Sequence, residues 1–260
     1  MTLIIVAPIL AVALFLVDSA YANDERFVIY GAVFLGAGAY WMINIGRRMR
    51  AMDGWELLRS DPRPPVVYLR PFQEDERRRY HDPVGDRQGG ERGGTNSYTQ
   101  ATREPKIARQ ITRIGPFVAV GKPGDSLAPL GAARIYVSDD EWQETVTSLV
   151  RRAAAVVLQP EASPGTFWEV DLVGHVVDMR RVLLLVPDPV LRPLGFARVR
   201  ELIAQALSVS LPLPGEGVAC DAFMFDELGR PLPIVFKSSK ALKPFVQQVL
   251  LVNGKREGAA

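Results

Sequence analysis

Hydrophobic positions are distributed along this chain in two different ways. Thr2 to Val17 (TLIIVAPILAVALFLV) and Phe27 to Ile45 (FVIYGAVFLGAGAYWMINI) are apolar runs without a charged residue. Each approaches the lower length for spanning a hydrocarbon core of roughly 30 Å as a helix rising ~1.5 Å per residue. From Val66 onward, short aliphatic runs alternate instead with segments of helical period. Strands are predicted at 66–69, 117–120, 155–158 and 182–186, with a brief extended stretch at 134–137. Helices are predicted at 105–114, with Ile107, Ile111 and Ile114 on one side, and at 140–152, 166–178 and 196–207. Strands apolar on both faces and separated by helices imply an α/β fold with a doubly wound, mainly parallel sheet. A hairpin of 222–225 and 234–236 around Asp226 to Pro231, then a helix over 242–252, completes the pattern.

The flanks of the apolar runs predict their orientation. Asp18 to Arg26 between them holds three acids and one Arg, and Arg47, Arg48 and Arg50 follow the second run. Positive flanks stay cytoplasmic, so residues 1–50 read as a transmembrane hairpin with both ends inside. Gly31, Gly36 and Gly38 among alanines would let the two helices approach closely. The rival is a cleaved signal peptide, since Ala20-Tyr21-Ala22 has the small-residue form of a cleavage site. Its n-region lacks Lys and Arg, and the second run would still anchor the chain. Either way the expected location is the cell (inner) membrane, multi-pass in the hairpin reading, with the C-terminal domain in the cytoplasm. The lipid bilayer is then the first partner. Helices apolar all round would otherwise need a larger protein to bury them.

The 260 residues therefore divide into the hairpin, a juxtamembrane linker at 51–65, an α/β domain at 66–252 and a tail at 253–260. Within the domain, 73–103 carries Arg77-Arg78-Arg79 and a cluster of glycines with almost no aliphatic residues, and reads as a flexible insertion. Lys+Arg 31 against Asp+Glu 29 leaves a net charge of +2, which argues against nucleic acid as a partner. One cysteine, Cys220, excludes a disulfide framework, and His81 and His175 leave little for a metal centre. No metal site and no cofactor are expected.

In doubly wound sheets, ligands bind where the carboxyl ends of strands meet helix N-termini. Three such loops are unusual in composition: Arg70-Pro71-Phe72, Gly121-Lys122-Pro123-Gly124-Asp125-Ser126, and Gln159 to Glu169 with Gly165-Thr166-Phe167-Trp168-Glu169. Gly165 and Thr166 at a helix start could offer free N–H groups to a phosphate. Glu169 follows one turn in.

Gly-Thr-x-x-Glu after a buried strand resembles the nucleoside 2-deoxyribosyltransferases and the phosphoribohydrolases that release cytokinin bases. Val67 to Phe72 is similar to the first strand and loop of the deoxyribosyltransferases. The order of elements over about 66–210 also resembles a TIR (Toll/interleukin-1 receptor) domain of flavodoxin-like architecture. Two departures stand in the motifs. Trp168 is followed directly by Glu169, where TIR enzymes place Glu four residues after their Trp, and Leu172 holds that position here. The first loop is Arg-Pro-Phe rather than a small-residue turn.

The resemblance implies cleavage of an N-glycosidic bond, with NAD or a related nucleotide as substrate and Glu169 as the catalytic residue. An ionised carboxylate would stabilise or capture the sugar cation that forms. Phe72 or Trp168 would stack on a base, Arg70 and Lys122 would neutralise phosphates, and Gly124, Gly165 and Thr166 would line the site. A membrane-anchored enzyme of this kind would suit a defence or stress effector switched on by homo-oligomer formation. The alternative is a non-catalytic nucleotide-binding or self-assembling signalling module; a third is a structural scaffold. Thr166-x-x-Glu169 also reads as a capping box, and Ser138 to Glu141 as a second one. Trp142 and Trp168 read equally as core anchors. Arg70 could snorkel past the sheet end. Asp171 is a second carboxylate to consider, His175 reads as structural, and Cys220 as an inert thiol.

Overall fold

The computed structural model describes residues 53–70, 104–121, 131–138, 140–160, 164–187, 193–213 and 220–257. The two apolar stretches, the whole 73–103 segment, the loop after Gly121 and the last residues of the tail lie outside them. No helix among the described residues is long and apolar enough to cross a membrane.

The short aliphatic runs form the strands, and their continuous burial follows from cover on both sides. In chain order the elements are α1 (Gly54–Ser60), β1 (Val66–Leu69), α2 (104–111), β2 (Phe117–Gly121), β3 (Ala133–Tyr136), α3 (Trp142–Arg152) and β4 (Ala155–Leu158). Then come α4 (Pro164–Val176), β5 (Val182–Leu185), α5 (Pro193–Leu207), β6 (Ala222–Phe225), β7 (Pro231–Ile234) and α6 (Lys243–Glu257). They build a seven-stranded sheet in the order β3-β2-β1-β4-β5-β6-β7. The first five strands are parallel, with Val66 beside Phe117 on one side and Ala155 on the other; β6 and β7 are antiparallel.

Side chains alternate across this sheet into two cores. Val67, Leu69, Val118, Val156 and Leu184 face α1, α3, α4 and α5. Val66, Tyr68, Phe117, Val157 and Leu183 face α2 and α6, which contribute Ile107, Ile111, Phe245 and Val249. The flavodoxin order is 2-1-3-4-5. Here the extended stretch at 134–137 proves to be a full strand outside β2, giving 3-2-1-4-5 in the parallel part.

Several boundaries differ from the sequence reading. The 51–65 linker contains α1, because Leu57 and Leu58 have a core face to reach. The last strand is Pro231–Ile234 rather than 234–236. The carbonyl of Ile234 accepts from Asp221 across β6, so Pro231 and Pro233 turn their missing N–H groups to the open edge. The hairpin turn is tied by Asp226, which accepts from the N–H groups of Leu228 and Arg230 at 2.9 Å each, with Gly229 at φ +71°.

The segments leading into β1 and β2 cross at Gly115. A side chain there would run into the carbonyl of Pro64, a backbone group that cannot rotate away. Gly115→Ala is expected to cost about 1–3 kcal/mol, as overpacking of a filled interior does. A lowered urea midpoint at unchanged slope is the reading; an unchanged midpoint would mean that the crossing segments separate freely.

Candidate functional site

β1 and β4 lie side by side at the point where the chain connections diverge. The path from β1 returns through α2 on one face, and that from β4 through α4 on the other. Ligand crevices in open α/β sheets form at the carboxyl ends of such a strand pair. Here Gln159 carries the ladder one residue past β4, its N–H donating to the Leu69 carbonyl at 2.8 Å. The Tyr68 hydroxyl hydrogen-bonds to the Gln159 side-chain oxygen. The Tyr68 ring stacks on Phe117 at 5.6 Å between centroids, and the Arg70 guanidinium carbon stands 5.8 Å from the Tyr68 ring centre.

On the α2 face a buried ionic cluster sits over the small residues of β2. Arg134 of β3 lies level with Ala119 of β2, which lies level with Tyr68 of β1; Gly121 and Tyr136 pair further along the same two strands. Glu104, the first residue of α2, reaches into this gap. Its Oε1 accepts from Arg134 Nη2 at 2.8 Å and from the Ala132 N–H at 3.1 Å, while its Oε2 is 3.9 Å from Arg70 Nη1. Arg134 also donates to the Ala132 carbonyl at 3.0 Å. All three charged side chains are about 1% exposed. Gly131 has φ +143°, and a side chain there would occupy the space of Glu104. One carboxylate thus ties together the end of β1, the start of β3 and the start of α2.

Glu169 belongs to the opposite face. The helix that carries it starts at Pro164, two residues before the expected Thr166, since proline suits a first helical turn that needs no N–H donor. Thr166 is therefore the third residue of the helix and not its cap, and the predicted capping box with Glu169 does not form. The second box fails in a related way. Ser138 donates to the Glu141 carboxylate at 2.8 Å, but α3 begins only at Trp142 without a side-chain cap.

With the helix set two residues earlier, Thr166, Glu169, Val170, Val173 and Val177 form one buried stripe toward the sheet. Glu169 is only 6% exposed. Among the described residues its carboxyl group makes no hydrogen bond or ion pair, and burial alone pushes its pKa up to about 8. The expectation of an ionised carboxylate favoured by the helix N-terminus is thereby corrected. Glu169 lies beyond the first turn, where the dipole is felt, and desolvation decides its charge. At neutral pH it is mainly a carboxylic acid.

The other sequence candidates fall into three groups. Phe72, Lys122 and Gly124 lie outside the described residues. Arg70 is buried beside Glu104 and Tyr68. Gly165, Thr166 and Trp168 share the opening turns of α4 with Glu169, and the Trp168 indole meets Trp142 edge-on at 5.0 Å and 75°. Asp171 turns outward on the same helix, 3.5 Å from His175, so neither is near Glu169's stripe. Cys220 is buried, its thiol 3.4 Å from the Ala222 carbonyl.

Glu104, Arg134, Tyr68 and Gln159 were missed by the sequence reading. The legible signal was Arg134, a charge in the middle of an apolar strand, which requires a buried partner. No group of three or more His, Cys, Asp or Glu side chains suited to a metal ion occurs among the described residues. Comparison of the chain with protein-family models, with curated proteins and with solved structures finds no match.

Proposed function

We propose that this protein is a membrane-anchored N-glycosidase-type enzyme of TIR-like or deoxyribosyltransferase-like kind, acting on NAD or a related nucleotide through Glu169. The observation that carries the reading is a largely buried carboxyl group that makes no hydrogen bond or ion pair among the described residues, on the helix that follows the central strand β4. A residue placed there for stability alone would be aliphatic, because an unpartnered buried carboxyl costs free energy. Such cost concentrates at functional sites. The two N-terminal apolar runs supply the anchor in this proposal, and the domain stands in the cytoplasm.

In the resting protein Glu169 holds a proton. A ribosyl–base bond breaks through a cationic sugar, and a carboxylate beside that cation stabilises it. The proton must therefore leave before or as substrate binds. A substrate with a cationic ring, as nicotinamide is in NAD, favours that loss by lowering the pKa of the acid beside it.

Incubation of the purified full-length protein with NAD, nucleoside monophosphates and deoxynucleosides, with detection of free base, tests the proposal. Base release is expected from the parent chain and a loss of at least about 100-fold in Glu169→Gln, the scale of removing a reacting group. Because the free enzyme must deprotonate Glu169, kcat/KM should fall about tenfold per pH unit below about 8 and level off above it. Undiminished release by Glu169→Gln would remove Glu169 from the chemistry. The second reading, nucleotide binding without turnover, is favoured by the neutral state of Glu169, which can donate a hydrogen bond to a base. It predicts saturable nucleotide binding, weakened by Glu169→Ala, with no base released.

A further inference from the structure

Among the described residues, the exposed charges of the two signs are unevenly spread, which a net charge of +2 does not show. α2 and α6 lie together on one face of the sheet, tied by the Leu242 N–H donating to the Gln110 side-chain oxygen at 3.0 Å. Their outer side exposes Lys106, Arg109 and Arg113 from α2 and the turn after it. Lys237 and Lys240 are exposed from the segment leading into α6, and Lys243 from its first residue. None of these six cations is in an ion pair among the described residues. The exposed acids of the described residues lie elsewhere. Asp53, Glu56, Asp140, Glu141, Glu144 and Glu201 stand on the α1, α3 and α5 side, mixed there with arginines, and Glu227 stands in the β6–β7 turn.

Apolar surface accompanies the charge. Lys243, Gln247, Leu250 and Leu251 follow one another at helical spacing along the outside of α6, and the two leucines are 48% and 67% exposed. The buried stripe of Phe245, Val246, Val249 and Val252 turns these positions outward, where polar residues would serve the fold equally well.

We infer that the α2–α6 face is a docking surface for an anionic lipid bilayer. Lysines and arginines near such a surface are drawn to the headgroups, and neighbouring leucines enter the interfacial layer. Charge complementarity selects a polyanion, and the leucines select a lipid surface over a soluble one. The proposed anchor adds a bilayer at high effective concentration, so modest affinity suffices. The inference rests on that anchor only for local concentration and is independent of any chemistry at Glu169.

The test uses the full-length protein reconstituted into vesicles of phosphatidylcholine alone or of phosphatidylcholine with phosphatidylserine at three to one. An environment-sensitive fluorophore is attached at Gln247→Cys; Cys220 is buried and stays unlabelled. Flotation with both kinds of vesicle reports the anchor. A blue shift confined to the phosphatidylserine vesicles, reversed by 1 M salt, reports the face. The shift should be absent from a label at Ala204→Cys, exposed on α5 across the sheet. It should also be lost when Arg109→Glu, Lys240→Glu and Lys243→Glu are combined at unchanged thermal stability. Equal emission in both vesicle types, or failure to float with either, would overturn the inference. So would a short single-stranded RNA that binds the detergent-solubilised chain and loses binding in the triple variant, since the face would then be a nucleic-acid surface.

Discussion

Glu104→Ala is expected to lower stability by about 3–5 kcal/mol, the scale of breaking a buried ion pair from one side. The carboxylate is the acid shared by two buried guanidinium groups, Arg134 at 2.8 Å and Arg70 at 3.9 Å. Its removal leaves Arg134 with its bond to the Ala132 carbonyl but takes away the carboxylate that stands 2.8 Å from it. The Ala132 N–H loses its acceptor at the same time. Side-chain volume is a smaller part of the effect, which Glu104→Gln separates. The amide keeps an acceptor for Ala132 and fills the space over Gly131, yet carries no charge, so its loss should be intermediate. Pairing Glu104→Met with Arg134→Met should recover part of the loss, because apolar replacements of both partners remove the desolvation cost with the attraction. Urea unfolding of the full-length variants gives the numbers. A loss below about 1 kcal/mol for Glu104→Ala would show that both arginines reach water or other partners when the acid is gone.

The cluster also explains which parts of this molecule are legible from sequence. Strands such as Ala155-Val156-Val157-Leu158 and Val182-Leu183-Leu184-Leu185 announce themselves because they are buried on both faces, and no other element shows that run so briefly. Helix faces are legible for the same reason, through Ile107 and Ile111 or Leu149 and Val150. Boundaries were less so. A Thr-x-x-Glu spacing and a proline two residues upstream offered competing starts for α4, and the proline won. The site was least legible. Glu104 and Arg134 stand 30 positions apart and meet only because β3 pairs outside β2, a topology that periodicity does not contain. The expectation of an ionised Glu169 went astray because spacing along one helix does not reveal what covers a side chain from the sheet. The basic face was hidden for a further reason. Six cations drawn from two segments more than 100 positions apart come together only through the fold, and a net charge of +2 does not reveal where they gather.

Glu169 should also leave a signature in the pH dependence of stability, separate from any activity. In the unfolded chain its pKa returns to the ordinary 4.5, whereas burial in the folded protein holds it at about 8. Below pH 4.5 the group is protonated in both states and contributes no slope. Between the two values the unfolded chain releases a proton that the folded one retains, so stability falls by roughly 1.4 kcal/mol per pH unit. Above about 8 both states are ionised and the deficit stays constant, at roughly 5 kcal/mol for the full interval. Glu169→Gln has no proton to lose there. The variant carries a fixed cost for a buried amide, but the difference between variant and parent should move in the variant's favour by several kcal/mol from about pH 4.5 to about pH 8.5. Groups whose pKa is lowered, such as Asp178 beside Arg180, titrate alike in both proteins and cancel in that difference. Urea midpoints at four or five pH values suffice. Parallel curves for parent and Glu169→Gln would mean that the carboxyl group reaches water or a cation in the folded protein. The same result would remove the physical ground for placing a reaction at this residue, because the strain of burying it is what singles it out.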